Sequence, residues 1–236
     1  MRDEIISWIE VQSREGVALQ KGMHYRVKRD YSILLMSQRK NAPYRDEIDE
    51  ERGLLIYEGH DVPTKGNIDP KAIDQPLTSL SGSLTENGKF YRAIEEFKKG
   101  SCPAEHVKVY EKIAVGIWSD KGFFELVDGK FEFDGKRHVF KFFLRPLHQR
   151  SETEFVEIPH LRLIPTFIKV EVWGRDRGRC VLCGATDNLH FDHDIAFSRG
   201  GSSMAAANIR LLCARHNLQK SDKILSLLPY LFLILR

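Results

Sequence analysis

Residues 180–220 read CVLCGATDNLHFDHDIAFSRGGSSMAAANIRLLCARHNLQK, and the two ends of this stretch decide the fold of the C-terminal third. Cys180 and Cys183 form one pair, and Cys213 and His216 form a second pair with the same spacing. This spacing lets a tight turn present two ligands to a tetrahedral zinc ion. We therefore expect one structural zinc, bound by all four side chains, that stabilises a module too small for a robust core.

The 29 residues between Cys183 and Cys213 are too many for a simple zinc ribbon. Within them, residues 190–193 and 208–213 are predicted strands, residues 198–201 a glycine-containing loop, and a helix is predicted from about Arg215. The zinc is therefore expected at the base of an inserted hairpin that is followed by a helix.

Over residues 170–223 this order resembles the HNH nuclease family, which has a ββα-metal fold. The resemblance rests on Asp192-His193, the glycine pair, Asn208 before an apolar strand, and Asn217 with Lys220. It implies that His193 is the general base, a role that suits an imidazole because it is largely neutral at cellular pH. It also implies that Asp192 and Asn217 hold one catalytic Mg²⁺ or Mn²⁺, and that Asn208 braces the loop beside His193.

The third signature position of that family is often His and is Asn217 here. An amide oxygen still suits a hard cation, so we expect a shift in metal preference rather than loss of activity. The surrounding segment, 169–223, carries nine Lys or Arg against six Asp or Glu. Its basic residues are expected to contact DNA phosphates, or alternatively to form a solvated face: Lys169, Arg175, Arg177, Arg179, Arg199, Arg210, Arg215 and Lys220.

The first 145 residues are rich in short β-like runs. The predicted strands are 32–36, 54–57, 107–110, 113–118, 123–127 and 139–144, which together predict a barrel-like sheet. One helix is predicted from Gly88 to Lys99, with Asn87 as its cap and Gly100 as its stop.

Four stretches of this region, in order, resemble the SRA family of PUA-like barrels, which flip a modified cytosine out of duplex DNA. They are residues 31–35 with 44–49, residues 55–59, residues 74–78, and residues 122–127 with 140–145. The resemblance implies a base sandwich of Tyr44 and Tyr57, with Asp46 or Glu47 accepting a hydrogen bond from the exocyclic amine of cytosine. His60 and Asp61 are further candidates for this modified-base pocket. The alternative interpretation is that Tyr57 is a core residue and residues 46–51 form a solvated acidic loop.

The chain is therefore expected to be α+β: an SRA/PUA-like β-barrel with flanking helices at residues 1–147, a linker at 148–165, and a zinc-stapled HNH domain at 166–236. The N-terminus lacks the pattern of a secretory signal, which favours a cytoplasmic protein. The pairing of the two resemblances favours a prokaryotic protein, because a prokaryote must destroy foreign modified DNA. The apolar run from Leu225 to Leu235 is too short to span a bilayer, so we expect no membrane association and assign the run to packing or oligomerisation.

Together the two resemblances imply a modification-dependent restriction endonuclease. Its partner would be double-stranded DNA carrying 5-methylcytosine or 5-hydroxymethylcytosine, and a homodimer is expected because cutting both strands needs two nuclease modules. Two alternatives stay open. One is an HNH nuclease that recognises unmodified sequence or DNA structure, and the other is a modified-base binding protein with an inactive nuclease fold.

Overall fold

The computed structural model describes residues 3–27, 29–39, 42–49, 51–63, 69–147 and 163–220. The strands are β1 (Asp3–Ser7), β2 (Met23–His24), β3 (Ser32–Met36), β4 (Glu47–Asp49), β5 (Leu54–Glu58), β6 (Glu105–Ala114), β7 (Ile117–Phe133), β8 (His138–Pro146), β9 (Leu189–His193) and β10 (Ile209–Cys213). The α-helices are α1 (Trp8–Glu15), α2 (Glu86–Lys98), α3 (Thr166–Arg175) and α4 (Ala214–Lys220). Short 3₁₀ turns lie at Pro70–Ala72, Phe197–Arg199 and Ala206–Asn208.

The chain forms two compact units, and one of them takes residues from both ends of the sequence. Of the described residues, 7–147 form the first unit, and 3–6 join 163–220 in the second. Strand β1 therefore groups mainly with the second unit, whereas the sequence pattern placed it with residues 1–147. No local sequence pattern could have predicted this grouping, because β1 pairs with a strand almost 190 positions further along the sequence.

The first unit is built on a seven-stranded sheet in the order β2-β3-β6-β7-β8-β5-β4. The β3–β6 pair is parallel, and the other pairs are antiparallel. Within the described residues no pairing joins the end strands β2 and β4, so the sheet is not a closed barrel. The α+β class was predicted correctly, whereas closure of the barrel was not. The core contains large side chains with at most 1% exposure: Leu34, Tyr57, Phe90, Tyr110, Phe124 and Phe142.

Two local predictions in this unit need correction. The predicted strand 113–118 is interrupted by a turn at Val115–Gly116, where Gly116 adopts the left-handed φ of +74° that favours glycine. Helix α2 begins earlier than predicted and is capped by Thr85, whose Oγ1 accepts a hydrogen bond from the Gly88 amide at 3.2 Å. Asn87, which was predicted to be the cap, is buried within the first turn of the helix and does not cap it.

The second unit is a three-stranded antiparallel sheet, β1-β9-β10, with α3 and α4 packed against it. Asp3 lies opposite Phe191 in the β1–β9 ladder, and Cys213 lies opposite Leu189 in the β9–β10 ladder. An apolar core fills the space between α3 and the sheet: Ile164, Ile168, Val172, Phe191, Ala206, Ile209 and Leu211. The predicted order of strand, loop, strand and helix is present.

Two predictions concern residues that lie mostly or wholly outside the described part of the chain. Most of the expected linker (residues 148–162) and the whole apolar run 225–235 lie outside the described residues. Among the helices that are described, none has the length and apolar character that crossing a lipid bilayer requires.

Candidate functional site

The four predicted zinc ligands converge in the second unit. Their ligand atoms lie within 4.8 Å of one another, with Cys183 Sγ 3.8 Å from Cys213 Sγ. His216 Nδ1 lies 3.4 Å from Cys180 Sγ and 3.3 Å from Cys213 Sγ. A tetrahedral zinc with bonds of about 2.3 Å to sulfur and about 2.0 Å to nitrogen places its ligand atoms roughly 3.5–3.8 Å apart. The cluster could therefore hold a metal ion such as zinc.

Local backbone geometry builds the first cysteine pair into a tight turn. The Gly184 amide donates to the Cys180 carbonyl at 2.8 Å, and Gly184 has a left-handed φ of +75°. Burial raises the pKa of the Cys180 thiol. Hydrogen bonds from the Cys213, Leu182 and Cys183 amides and from the His216 ring outweigh it and lower the pKa to about 6. This favours the thiolate, the form that binds metal.

His193 ends strand β9 and is held on one side by a neighbouring hydroxyl. It is 7% exposed, and its Nε2 lies 2.8 Å from the Oγ of Ser203, which is also buried. Asn208 lies at the end of the same loop: its Oδ1 accepts from the Ile195 amide at 2.8 Å, and its Nδ2 donates to the carbonyls of Ile195 and Ser202. Asn208 thus joins the two ends of the loop that follows His193.

The two glycines of this loop, Gly200 and Gly201, are favoured for two different physical reasons. Gly200 adopts φ +83°, a conformation that L side chains rarely take. At Gly201 a Cβ atom would lie 1.9 Å from the Ile195 carbonyl oxygen, so only glycine allows the backbone to approach this closely. Both glycines therefore support the compact loop that Asn208 crosses.

Asp192 lies one residue before His193 and contacts a buried lysine. The Lys220 ammonium is 2.8 Å from Asp192 Oδ2, and its hydrogen bond goes to the His193 carbonyl. Besides this ion pair, the described residues give Asp192 Oδ2 no hydrogen bond, and a carboxylate oxygen can accept more than one contact. Asn217 is half-buried on α4, which packs against β9. A carboxylate and an amide supply the oxygen ligands that Mg²⁺ and Mn²⁺ take, so this donor set fits the expected catalytic ion.

The predicted phosphate contacts divide into exposed and buried groups. The exposed group comprises arginines: Arg175, Arg177, Arg179, Arg199 and Arg215. Among them, the Arg175 guanidinium is already bound to the Asp176 carboxylate and to the Ala206 and Ile209 carbonyls. Lys169 is completely buried, with Nζ 2.8 Å from Asp3 Oδ1. Arg210 is 6% exposed and paired with Asp194, and Lys220 is 4% exposed. These three side chains have no exposed surface for a phosphate, because each compensates a carboxylate inside the unit.

In the first unit the predicted base-pocket residues surround a cavity of about 640 Å³. Tyr44, Asp46 and Tyr57 line it, together with His60. Glu47 does not line the cavity and is exposed at the start of β4. The two carboxylates that sequence reasoning left as alternatives are therefore distinguished by the backbone, which turns Asp46 inward.

Asp46 is fixed by backbone donors. Its Oδ2 accepts from the Ser37 amide at 2.9 Å, and its Oδ1 accepts from the Glu58 amide at 3.1 Å. Burial raises the pKa of Asp46 to about 7, against the lowering effect of these two amides; the Glu58 carboxylate raises it further and Lys141 lowers it. Asp46 therefore titrates close to neutral pH.

Tyr57 and His60 lie side by side in the wall of the cavity. Tyr57 is 1% exposed, and its hydroxyl lies 3.0 Å from His60 Nε2. A Cβ atom at Gly22 would lie 2.5 Å from the Tyr57 hydroxyl and 2.7 Å from His60 Nε2, so a side chain at this position would have to displace one of these two groups. Asn87 holds the His60 backbone on both sides, accepting from its amide and donating to its carbonyl, each at 2.8 Å.

Two side chains pack against the Tyr44 ring. Its ring is stacked with His60 at a centroid distance of 5.0 Å and an angle of 13°. The Lys71 ammonium lies 4.2 Å from the Tyr44 ring centroid and 2.9 Å from Asp61 Oδ2. Asp61, a further candidate from the sequence, does not line the cavity, although its amide donates to the Tyr44 hydroxyl at 3.3 Å.

Several residues of the site were not predicted from the sequence. Trp8 and Trp118 line the cavity with their rings 5.0 Å apart, and Ser203 contacts His193. Neither tryptophan stands in a motif, and a serine ten residues after a histidine has no distinctive spacing. Only tertiary structure could have found them.

No sequence-family model and no curated protein matches the chain. Among solved structures, the SRA domain of SUVH5 bound to fully hydroxymethylated CG DNA is similar at a TM-score of 0.44 and 20% identity, covering 66% of this chain and 93% of that one. The DNA modification-dependent restriction endonuclease AspBHI is similar at a TM-score of 0.38 and 16% identity, covering 57% and 65%. The type IV phosphorothioation-dependent restriction endonuclease ScoMcrA is similar at a TM-score of 0.42 and 14% identity, covering 94% and 55%.

Proposed function

We propose that this protein is a modification-dependent restriction endonuclease. The first unit would bind a 5-methylcytosine or 5-hydroxymethylcytosine flipped out of duplex DNA, and the second unit would hydrolyse phosphodiester bonds. The observation that supports recognition of a modified base is the cavity of about 640 Å³, which is lined by Tyr44, Tyr57 and Asp46.

The chemistry of that cavity suits a flipped base. Removing a base from the stack costs a few kcal/mol, and stacking on an aromatic side chain returns about 1–3 kcal/mol. A carboxylate accepts hydrogen bonds from the exocyclic amine of cytosine. Each carboxylate oxygen of Asp46 already accepts a hydrogen bond from one backbone amide. Each oxygen also has a second lone pair, which can accept a hydrogen bond from the base.

The nuclease half rests on the HNH resemblance and on the position of His193. In the proposed reaction His193 removes a proton from water, the resulting hydroxide oxygen bonds to phosphorus, and the bond from phosphorus to the 3′ oxygen breaks. A divalent ion bound by Asp192 and Asn217 would stabilise the charge on that leaving oxygen. Asn208 and Ser203 would hold the loop and the imidazole in place, and the exposed arginines Arg175, Arg177 and Arg199 would contact phosphates.

Zinc would have a structural role in this scheme. The Cys180, Cys183, Cys213 and His216 cluster supplies four protein ligands and so leaves no open position for water or substrate. We assign Lys220 to orienting Asp192 rather than to DNA, because its ammonium lies 2.8 Å from that carboxylate.

The deciding experiment is digestion of one plasmid in unmethylated, 5-methylated and 5-hydroxymethylated forms, with Mg²⁺ or Mn²⁺ present. We expect cleavage of the modified forms and none by His193→Ala, which should retain its zinc. Equal cleavage of all three forms would favour a nuclease that reads unmodified DNA. Selective binding without any cleavage would favour a reader with an inactive nuclease fold.

Double-strand cleavage would require two nuclease modules, so we also propose that the active form is a homodimer. Light scattering of the full-length protein bound to a modified duplex would show two protein chains per complex. A single chain per complex that still makes double-strand breaks would contradict this part of the proposal.

A further inference from the structure

The ring of His60 occupies the face of Tyr44 on which a base would have to stack. The Tyr44 and His60 rings are 13° from parallel with centroids 5.0 Å apart. Two rings that sandwich a base must lie about 7 Å apart, twice the roughly 3.4 Å spacing of stacked bases. No base therefore fits between Tyr44 and His60 as they stand.

Lys71 does not offer an alternative stacking position within the cavity. Its ammonium lies 4.2 Å from the Tyr44 ring centroid, and Lys71 is not among the residues that line the cavity. Tyr44 and His60 both line it. A base that enters the cavity therefore meets a Tyr44 ring on which the His60 ring is already stacked.

The contacts of His60 suit a side chain that moves while its backbone stays. Asn87 fixes the backbone through two hydrogen bonds of 2.8 Å. The imidazole itself is held by the stack on Tyr44 and by one hydrogen bond with the Tyr57 hydroxyl at 3.0 Å. Burial lowers the pKa of His60 to about 4, so the ring is neutral at physiological pH and no ion pair is broken when it rotates.

We propose that His60 is a stand-in for the flipped base: its imidazole fills the stacking position beside Tyr44 and bonds to Tyr57 until a modified cytosine displaces it. This inference rests on the proposed function and adds a specific residue to it. The same displacement would uncover Tyr57, which at 1% exposure is otherwise closed to a base. His60 thereby lowers the affinity of the pocket for every base by a constant factor.

The test is the affinity of full-length protein for a duplex with one 5-methylcytosine and for its unmodified counterpart, measured by fluorescence anisotropy without divalent ions. A 2-aminopurine beside the target reports unstacking of the base. His60→Ala should bind the methylated duplex about fivefold to twentyfold more tightly than wild type, the value of one aromatic stack and one hydrogen bond. His106→Ala, which removes an exposed histidine from β6, should have wild-type affinity.

A second variant keeps the inference testable if His60→Ala does not fold. Tyr57→Phe removes the hydrogen bond to His60 and should tighten binding about threefold. If His60→Ala does fold, adding Tyr57→Phe to it should lose the threefold tightening that Tyr57→Phe gives in the wild-type background, because the partner of the lost hydrogen bond is already absent.

The outcomes separate this inference from the proposed function. Weaker or unchanged binding by His60→Ala, in a protein whose wild type prefers methylated DNA, overturns the stand-in role and makes His60 a fixed wall of the pocket. A wild type that shows no preference for methylated DNA refutes the proposed function itself, whatever the His60 variants do.

Discussion

At the scale of single residues, the most informative side chain of the pocket is Asp46. It sits beside Glu47 in sequence, yet only Asp46 lines the cavity, and burial raises its pKa to about 7. A carboxyl group that titrates near neutral pH changes its hydrogen-bonding character over the range in which DNA binding is measured. Only the ionised form offers both oxygens as acceptors to the amine of cytosine.

We predict that the affinity for a duplex with one 5-methylcytosine rises about tenfold between pH 6 and pH 8, as the ionised fraction of Asp46 grows. Asp46→Asn should lower this affinity and make it independent of pH, which separates Asp46 from other titrating groups. The measurement is the dissociation constant of the methylated duplex at several pH values. A dissociation constant equally flat in wild type would contradict the assignment.

The effect of pH on folding stability has the opposite sign to its effect on DNA binding. Because the folded state raises the pKa of Asp46 above that of the unfolded chain, the folded state holds this proton more tightly. The contribution of Asp46 to stability is therefore greatest below about pH 4 and is lost as pH rises towards 7. Asp46→Asn should accordingly be more stable, relative to wild type, at pH 8 than at pH 5.

Asn208 gives the second prediction at this scale. It makes three hydrogen bonds across the loop after His193, to the Ile195 amide and to the carbonyls of Ile195 and Ser202. Asn208→Ala should lower the single-turnover cleavage rate by about 10- to 100-fold, as loss of a supporting contact in a catalytic metal site does. DNA affinity and zinc content should stay near wild type. Ser198→Ala, an exposed position in the same loop, is the control, and an equal loss of rate there would discredit the bracing role.

At the scale of elements, the cysteine turn and the start of α4 bring together four side chains that could hold one metal ion. A structural zinc contributes on the order of 10 kcal/mol to a small module. Cys180→Ser should therefore lose zinc and unfold the second unit, as measured by metal analysis and by a lost thermal transition. Cys102→Ser removes an exposed thiol elsewhere and should change neither. A stable, zinc-free Cys180→Ser protein would show that the cluster is not a staple.

At the scale of the whole molecule, the second unit is assembled from both ends of the sequence. Strand β1 pairs with β9, and the fully buried Lys169 ammonium lies 2.8 Å from Asp3 Oδ1. Removing one partner of a buried ion pair typically costs about 3–5 kcal/mol, because the remaining charge is uncompensated. Asp3→Asn should thus destabilise the second unit and not the first. Differential scanning calorimetry would resolve this, with Asp187→Asn, an exposed acid of the same unit, as the reference.

The sequence predicted those features that depend on residues close together in the chain. Ligand pairs three residues apart placed the four-residue Cys/His cluster, and the order of periodic segments placed β9, β10 and α4. It could not predict what depends on distant pairing. The burial of Lys169 needs a partner 166 positions away, and the barrel that the strand pattern suggested is open at β2 and β4. Nor does any local pattern indicate that His60 lies against Tyr44.

The place of β1 also has a consequence during synthesis. Almost 190 residues separate β1 from β9, so the ladder between them can form only after that stretch has been translated. A translation product that stops before residue 189 would contain the pocket residues and lack β9 with His193. On the proposed function, such a product could bind modified DNA and could not cut it.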